Sequence, residues 1–119
     1  MRIIAAILFM TGLLANIDLV KADGDLSARI NKLISAVGES NCQFYRNGKT
    51  YTPEESVVHI RKKYNYYEDD IDSIDKFIEL SASKSMISGK PYKILCADAE
   101  AELSSSWMAN KAVTIGVSE

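Results

Sequence analysis

The spacing of apolar side chains along residues 23–119 predicts four helices and three strands. Apolar positions that recur every three or four residues indicate amphipathic helices, whereas short β-prone runs that alternate with polar residues indicate strands. The helices are predicted at residues 25–38, 53–64, 74–82 and 104–112. The strands are predicted in a hairpin at 42–51 and at residues 92–96. This α-β-β-α-α-β-α order predicts an α+β fold with a small three-stranded sheet.

Two local signals mark where elements begin and turn. Asn47 and Gly48 stand between β-prone residues and predict a tight hairpin turn, because both turn residues must take positive φ. Thr52, followed by Pro53 and by Glu55 three residues on, predicts a capped helix start. The tail from Val113 onward follows the last predicted helix and is expected to fray.

Residues 1–22 have the pattern of a signal peptide. A basic residue precedes an apolar run from Ile3 to Leu14, and a more polar stretch ends at Ala22, a small residue suited to signal-peptidase cleavage. The alternative is an uncleaved anchor, but Asp18 interrupts the run before the roughly 17–25 apolar residues that span a bilayer. We therefore predict cleavage after Ala22, one domain at 23–119, and no stable membrane anchor after cleavage.

Cysteine usage agrees with export. The chain contains two cysteines, Cys42 and Cys96, and an even number behind a signal peptide predicts a disulfide. That bond would join the first predicted strand to the last one. The alternative is two buried free thiols. Two distant cysteines and one histidine do not make a zinc set, so no metal and no other cofactor is predicted.

The charge balance limits the classes of partner. The chain has 14 basic and 16 acidic side chains and a formal net charge of −2. Nucleic-acid binding depends on lysine and arginine side chains that replace phosphate counterions, so a mildly acidic chain argues against it. The expected location is the periplasm or the exterior of the cell, and the expected partner is another envelope protein or an anionic small ligand.

An ordered set of segments between residues 42 and 107 resembles a known family. The segments are Phe44-Tyr45-Arg46-Asn47-Gly48, residues 59–64, Phe77-Ile78, residues 82–85, residues 88–94 and Trp107. Together they resemble a family of short exported bacterial proteins of unknown function, the domain numbered 5329. The resemblance implies export and a shared fold, and it implies no chemical activity.

A serine-rich loop and several cationic side chains form the candidate binding residues. Hydroxyls, backbone amides and a lysine in one loop can cradle an anion such as phosphate or carboxylate. The alternative is a loop in which the serines only satisfy nearby backbone groups after a helix end. The loop candidates are Ser83, Lys84, Ser85 and Ser88, and those expected to join them are Arg46, His59, Arg61 and Lys63.

Basic and aromatic residues also lie together in residues 61–67. Tyrosine and arginine are enriched at the energetic centres of protein interfaces, so this run is a candidate partner surface. The alternative is a helix whose basic last turn complements its own dipole.

The sequence thus predicts a non-enzymatic binding or accessory protein for a protein partner or an anionic ligand, without an assigned catalytic residue. The alternative hypothesis is a small hydrolase or transferase in which His59 acts as a base on a serine of the 83–88 loop. That chemistry needs a hydroxyl within hydrogen-bond reach of the imidazole, about 2.6–3.2 Å, or one bridging water.

Overall fold

The computed structural model describes residues 24–119, so the predicted signal peptide and its cleavage site lie outside the described residues. Four α-helices and a four-stranded antiparallel sheet make up this part of the chain, which confirms the α+β class and corrects the predicted number of strands. The helices are α1 (residues 24–38), α2 (Pro53–Tyr67), α3 (Ile74–Ser81) and α4 (Ser104–Thr114). The strands are β1 (Gln43–Arg46), β2 (Lys49–Tyr51), β3 (Lys93–Leu95) and β4 (Glu102–Leu103), in the spatial order β2-β1-β3-β4.

The fourth strand is the feature that the sequence pattern did not indicate. β4 has two residues, with Leu103 opposite Lys93 and Glu102 opposite Ile94. Both residues of β4 are exposed, so no buried apolar position marks the strand. Its pairing depends on the open edge of β3, and such tertiary context outweighs local β propensity.

The predicted hairpin is confirmed at its turn. Asn47 and Gly48 have φ values of 49° and 83°, the left-handed region that a tight turn between two strands requires. Tyr45 pairs with Thr50 and Arg46 with Lys49, so β1 and β2 are in the register of a two-residue loop. This turn fixes Arg46 at the end of β1.

Helix α2 has the predicted start but a later end. The Thr52 side chain accepts a hydrogen bond from the Glu55 amide, and the Glu55 carboxylate accepts one from the Thr52 amide. The helix continues three residues beyond the predicted Tyr64, and a 3₁₀ turn at Glu68–Asp70 follows. Tyr66 and Tyr67 are therefore helical residues, on the last turn of α2.

The core lies between the helices and one face of the sheet. Apolar side chains from all four helices and from β1 and β3 are buried there. They include Ile30, Leu33, Val37, Phe44, Ile60, Phe77, Ile94 and Met108. None of the described helices is long and apolar enough to cross a bilayer.

A disulfide joins Cys42 to Cys96, as predicted, across 54 positions of the chain. The two cysteines flank β1 and β3, which are neighbours in the sheet. The bond therefore holds the middle pair of strands together.

The C-terminal residues are packed, which corrects the expectation of fraying. Gly116 has a φ of 75°, and the Val117 amide donates to the Ala112 carbonyl at 2.8 Å, so α4 ends in a Schellman motif. Val117 is buried in the core. The Glu119 carboxylate accepts hydrogen bonds from the first two amides of α3. Hydrogen bonds from distant parts of the chain, which a local pattern does not contain, hold this tail.

Removal of the disulfide should lower stability by several kcal/mol. The chain-entropy relation for a loop of this length gives about 4 kcal/mol. We expect a Cys42→Ala, Cys96→Ala double variant to lose about that amount in the free energy of unfolding, measured by urea titration. The reduced wild-type protein is the matched control. Equal midpoints for oxidised protein, reduced protein and variant would contradict this role.

Glu119→Gln should lower stability by about 1 kcal/mol, the usual magnitude for a helix-terminal carboxylate or cap. Hydrogen bonds from the Ile74 and Asp75 amides and from Arg29 outweigh desolvation and lower the pKa of Glu119. A lowered folded-state pKa stabilises the protein above the ordinary value near 4.5, and this contribution is lost as pH falls through the folded pKa. Urea midpoints of both proteins at pH 7 and pH 3 measure the effect. A difference of equal size at both pH values would contradict it.

Candidate functional site

A cleft of about 510 Å³ opens between the β1–β2 turn, helix α2 and the loop that precedes β3. We call it the cationic cleft. It is lined by Arg46, Asn47, His59, Lys62, Lys63, Tyr66, Tyr67, Ser85, Met86, Ile87 and Tyr92.

Helical spacing places several of these side chains side by side. His59 and Lys63 are four residues apart on α2 and therefore lie one above the other on the same face. Tyr66 and Tyr67 follow one turn later. The later end of α2 thus extends the face along the cleft.

Arg46 lies at the centre of the contacts. Its Nη1 is 3.0 Å from Nδ1 of His59, and its guanidinium carbon lies 3.9 Å from the ring centroid of Tyr51. Its Nε is buried and has no hydrogen-bond partner among the described residues. The side chain is therefore held by an aromatic ring and an imidazole, while its buried Nε–H donates to no described residue.

Tyr92 joins the side chains of α2 from the opposite side. Its hydroxyl oxygen lies 3.2 Å from Nε2 of His59 and 3.2 Å from Nζ of Lys63. The same lysine donates to the Lys84 carbonyl at 2.8 Å. The Tyr92 backbone is held at both ends, because its amide donates to Ser83 and its carbonyl accepts from Ser104.

The donor character of Arg46 sets the direction of every proton in this chain of contacts. A guanidinium has no acceptor, so Nδ1 of His59 must accept and the neutral imidazole carries its proton on Nε2. Nε2–H and the Lys63 ammonium then both donate to the Tyr92 oxygen and occupy its two lone pairs. The hydroxyl hydrogen of Tyr92 is left to donate elsewhere.

Burial and positive neighbours shift the titration of these groups. Desolvation, with Arg46, Lys63 and Lys62 nearby, lowers the pKa of His59 to about 4. Desolvation and Arg46 lower the pKa of Lys63 to about 8. Burial raises the pKa of Tyr92, and Arg46 only partly offsets it. At pH 7 the set therefore consists of a guanidinium, an ammonium, a neutral imidazole and a neutral phenol.

No carboxylate lines the cleft within residues 24–119. The salt bridges found there involve Arg29 and Lys76, and neither Arg46 nor Lys63 takes part in one. Hydrogen bonds at the start of α2 lower the pKa of Glu55, and Arg46 lies near enough for its charge to contribute, but Glu55 forms no salt bridge with Arg46. A partly buried pair of cations without a paired carboxylate is unfavourable, and a bound anion would relieve this cost.

The structure places the predicted site residues in two groups. Arg46, His59, Lys63 and Ser85 line the cationic cleft. Arg61 instead donates to Asn31 on α1, away from the cleft. Lys84 contributes its backbone carbonyl to Lys63, and no contact of its side chain joins it to the cleft residues.

The hydroxyls of the serine-rich loop are used by the protein itself. Ser83 donates to the Ile78 carbonyl at the end of α3, and Ser88 donates to Asn47 in the hairpin turn. Ser85 Oγ accepts from the amides of residues 87 and 88. This arrangement matches the alternative interpretation of the loop, in which serines satisfy the local backbone. The cleft is instead supplied with hydrogen-bond donors by Arg46, Lys63 and Tyr92.

The geometry of His59 does not resemble a serine–histidine pair. Both ring nitrogens are engaged, by Arg46 and by Tyr92, and no described serine is hydrogen-bonded to the ring. Glu55, one turn earlier, is engaged with Thr52 in the capping box. A base with a pKa of about 4 is also poorly matched to proton abstraction near neutral pH.

Sequence reasoning missed Tyr92 and Tyr51 as site residues. Alternation indicated only that Tyr92 belongs to a strand. Its contacts with His59 and Lys63 bridge 33 and 29 positions, a separation at which local patterns carry no signal. The basic-aromatic run at 61–67 did contain the signal for Lys62, Tyr66 and Tyr67.

Comparison with known proteins decides the family. A family of unknown function, DUF5329, matches residues 25–115. The chain belongs to this family. Over 66 residues it is 41% identical to the uncharacterised protein YfeK of Salmonella typhimurium strain LT2, a match that covers 55% of each chain. The chain thus spans about half the length of that relative. No solved structure matches it.

The titration of His59 tests the geometry of the cleft. We expect a midpoint at about pH 4 from the NMR shift of its ring protons, and an upward move toward 6.5 in Arg46→Met, because a neighbouring cation is removed. Arg61→Ala, on the α1 side, should leave it unchanged.

The same shift predicts a loss of stability in acid. The unfolded imidazole binds a proton near 6.5 and the folded one only at about 4, so stability falls as pH drops through this interval. In the NMR titration, a wild-type His59 midpoint near pH 6.5, or a midpoint that Arg46→Met does not move, would contradict the contacts described.

Proposed function

We propose that this protein is a non-enzymatic binding protein whose cationic cleft holds an anionic group, either a carboxylate or a phosphate. The observation that carries the proposal is the convergence of Arg46, Lys63 and the Tyr92 hydroxyl on one cleft that no described carboxylate lines. An anion in the cleft would accept from the Tyr92 hydroxyl, from the Lys63 ammonium and from guanidinium N–H groups of Arg46 other than the buried Nε. Hydrogen bonds to charged groups are the stronger kind, about 1.5–3 kcal/mol each.

The contrast between the cleft and the whole chain supports this proposal. The chain has a formal net charge of −2, yet the titratable groups that line the cleft are cationic, imidazole or phenolic. Unsatisfied charges that cost stability are characteristic of functional sites. The cleft volume also lies within the range of about 300–1,000 Å³ that is usual for ligand sites.

We further propose that the protein acts in an oxidising compartment, the periplasm or the cell exterior. The Cys42–Cys96 disulfide supports this location, because such bonds persist mainly in exported proteins. The signal-peptide pattern of residues 1–22 points the same way. Edman sequencing or mass spectrometry of protein from cell fractions tests it, with Asp23 expected as the first residue.

Anion binding should depend on Arg46 and not on Arg61. We expect inorganic phosphate and acetate to perturb the NMR signals of His59 and Tyr92, and Arg46→Ala to weaken binding at least about tenfold, equivalent to about 1.4 kcal/mol. Arg61→Ala removes the same charge from the surface and should bind like wild type, because Arg61 contacts Asn31.

The pH dependence of the same titration is a second check. Lys63 loses its proton at about pH 8, so affinity should fall as pH rises through that value. Lys63→Met should remove this step. Equal weakening by the two arginine variants would show diffuse attraction and overturn the proposed site.

A further inference from the structure

Apolar side chains that face solvent border the cationic cleft on two sides. The exposed ones are Tyr66 at the end of α2 and Met86 and Ile87 in the loop before β3, whereas Tyr67, which also lines the cleft, is partly buried against the core. Ile87 is fully exposed, and Tyr66 is 80% exposed. Single exposed apolar residues are ordinary, but a group of them around a charged cleft marks an interaction surface.

The turn that carries Ile87 is held by hydrogen bonds. Ser85 Oγ accepts from the Ile87 and Ser88 amides, and the Gly89 amide donates to the Ser85 carbonyl at 2.9 Å. Ser88 Oγ then donates to Asn47 Oδ1 at 3.0 Å, which attaches the turn to the hairpin. Ile87 is thus presented on an ordered turn, and ordering before contact lowers the entropy cost of binding.

We propose that the anionic group in the cleft belongs to a peptide segment of a partner protein, and that an apolar side chain next to its carboxylate packs against Ile87 and Tyr66. This inference rests on the proposed function. Tyrosine, methionine and arginine are the residue types enriched in interface cores, and all three border this cleft. The cationic residues of the cleft would bind the carboxylate, and the exposed apolar residues at its border, which we call the apolar rim (Tyr66, Met86 and Ile87), would bind the adjacent apolar side chain.

The charge distribution favours a peptide over a membrane surface. The exposed carboxylates of Glu68, Asp69 and Asp70 follow directly on Tyr67 at the end of α2. An anionic bilayer pressed against the apolar rim would meet these charges, whereas attraction to such bilayers requires clustered cations. A short peptide can place one carboxylate inside the cleft and leave the acidic turn in solvent.

The test uses oxidised protein, three soluble probes and calorimetric titration. The probes are acetate, an acetylated and amidated tetrapeptide with one glutamate beside one leucine, and the same peptide with glycine in place of leucine. We expect the leucine peptide to bind at least about tenfold tighter than the glycine peptide. Ile87→Ser and Tyr66→Ser should each reduce this preference severalfold, because they weaken binding of the leucine peptide more than binding of the glycine peptide or of acetate.

Val58→Ser is the matched control. Val58 is an exposed apolar residue of the same helix, 69% exposed, and it does not line the cleft. The Val58→Ser variant should keep the full preference for leucine.

A second peptide pair carries the carboxylate at the C-terminus instead of on a side chain. Comparison of the two pairs identifies which carboxylate binds more tightly, and tight binding of either supports the proposal.

The outcomes separate the two proposals. Equal affinity for the leucine and glycine peptides, or a preference for leucine that Ile87→Ser leaves intact, overturns the proposal of a peptide partner. Acetate binding in that case still supports the anion site. Binding to phosphatidylglycerol vesicles that exceeds peptide binding and depends on Ile87 overturns it in favour of a membrane. Absence of acetate, phosphate and peptide binding overturns both.

Discussion

Arg46 is a permanent cation that is partly withdrawn from water without a carboxylate partner, and its hydrogen bond to Nδ1 of His59 orders the whole site. Because a guanidinium only donates, the imidazole must present Nδ1 as an acceptor and Nε2 as a donor. This direction passes to the Tyr92 oxygen, which also receives the Lys63 ammonium. The hydroxyl hydrogen of Tyr92 then has no acceptor among these side chains, and a bound anion would supply one.

Three structural constraints keep these groups together. The Asn47–Gly48 turn ends β1 at Arg46, and the capped start of α2 fixes the rotation of the helix that carries His59 and Lys63. The disulfide and the β1–β3 pairing bring the segment that contains Tyr92 alongside the hairpin. Arg46, His59 and Lys63 therefore lie on a strand and a helix, and Tyr92 lies directly before β3, where backbone hydrogen bonds hold both its amide and its carbonyl. Charged groups that the fold already holds in place lose less conformational entropy on binding than groups on mobile segments do.

The uncompensated charge of the cleft has a cost to the folded protein. Burial, together with the neighbouring cations, lowers the pKa of both His59 and Lys63, which means that the folded state disfavours their charged forms. Polar groups at two helix starts are paired instead. The Glu119 carboxylate accepts hydrogen bonds from two amides of α3, and Thr52 and Glu55 exchange hydrogen bonds at the start of α2. Sites where local rules of stability are broken in an otherwise consistent structure are where function is expected.

Elements whose causes are local could be predicted from the sequence. The Asn47–Gly48 turn, the Thr52 cap and the periodicity of α1 and α3 each depend on residues within a few positions, and the cysteine pair was recognisable from number and export context. The other features depend on contacts between residues far apart in the chain, which a local pattern does not contain. Pairing with β3 creates β4, Arg29 and the first amides of α3 hold the C-terminal tail, and Tyr92 contacts His59 across 33 positions. Arg61 and Lys63 are both basic residues of α2, two positions apart, and therefore lie on different faces of the helix. Arg61 contacts Asn31, whereas Lys63 contacts Tyr92.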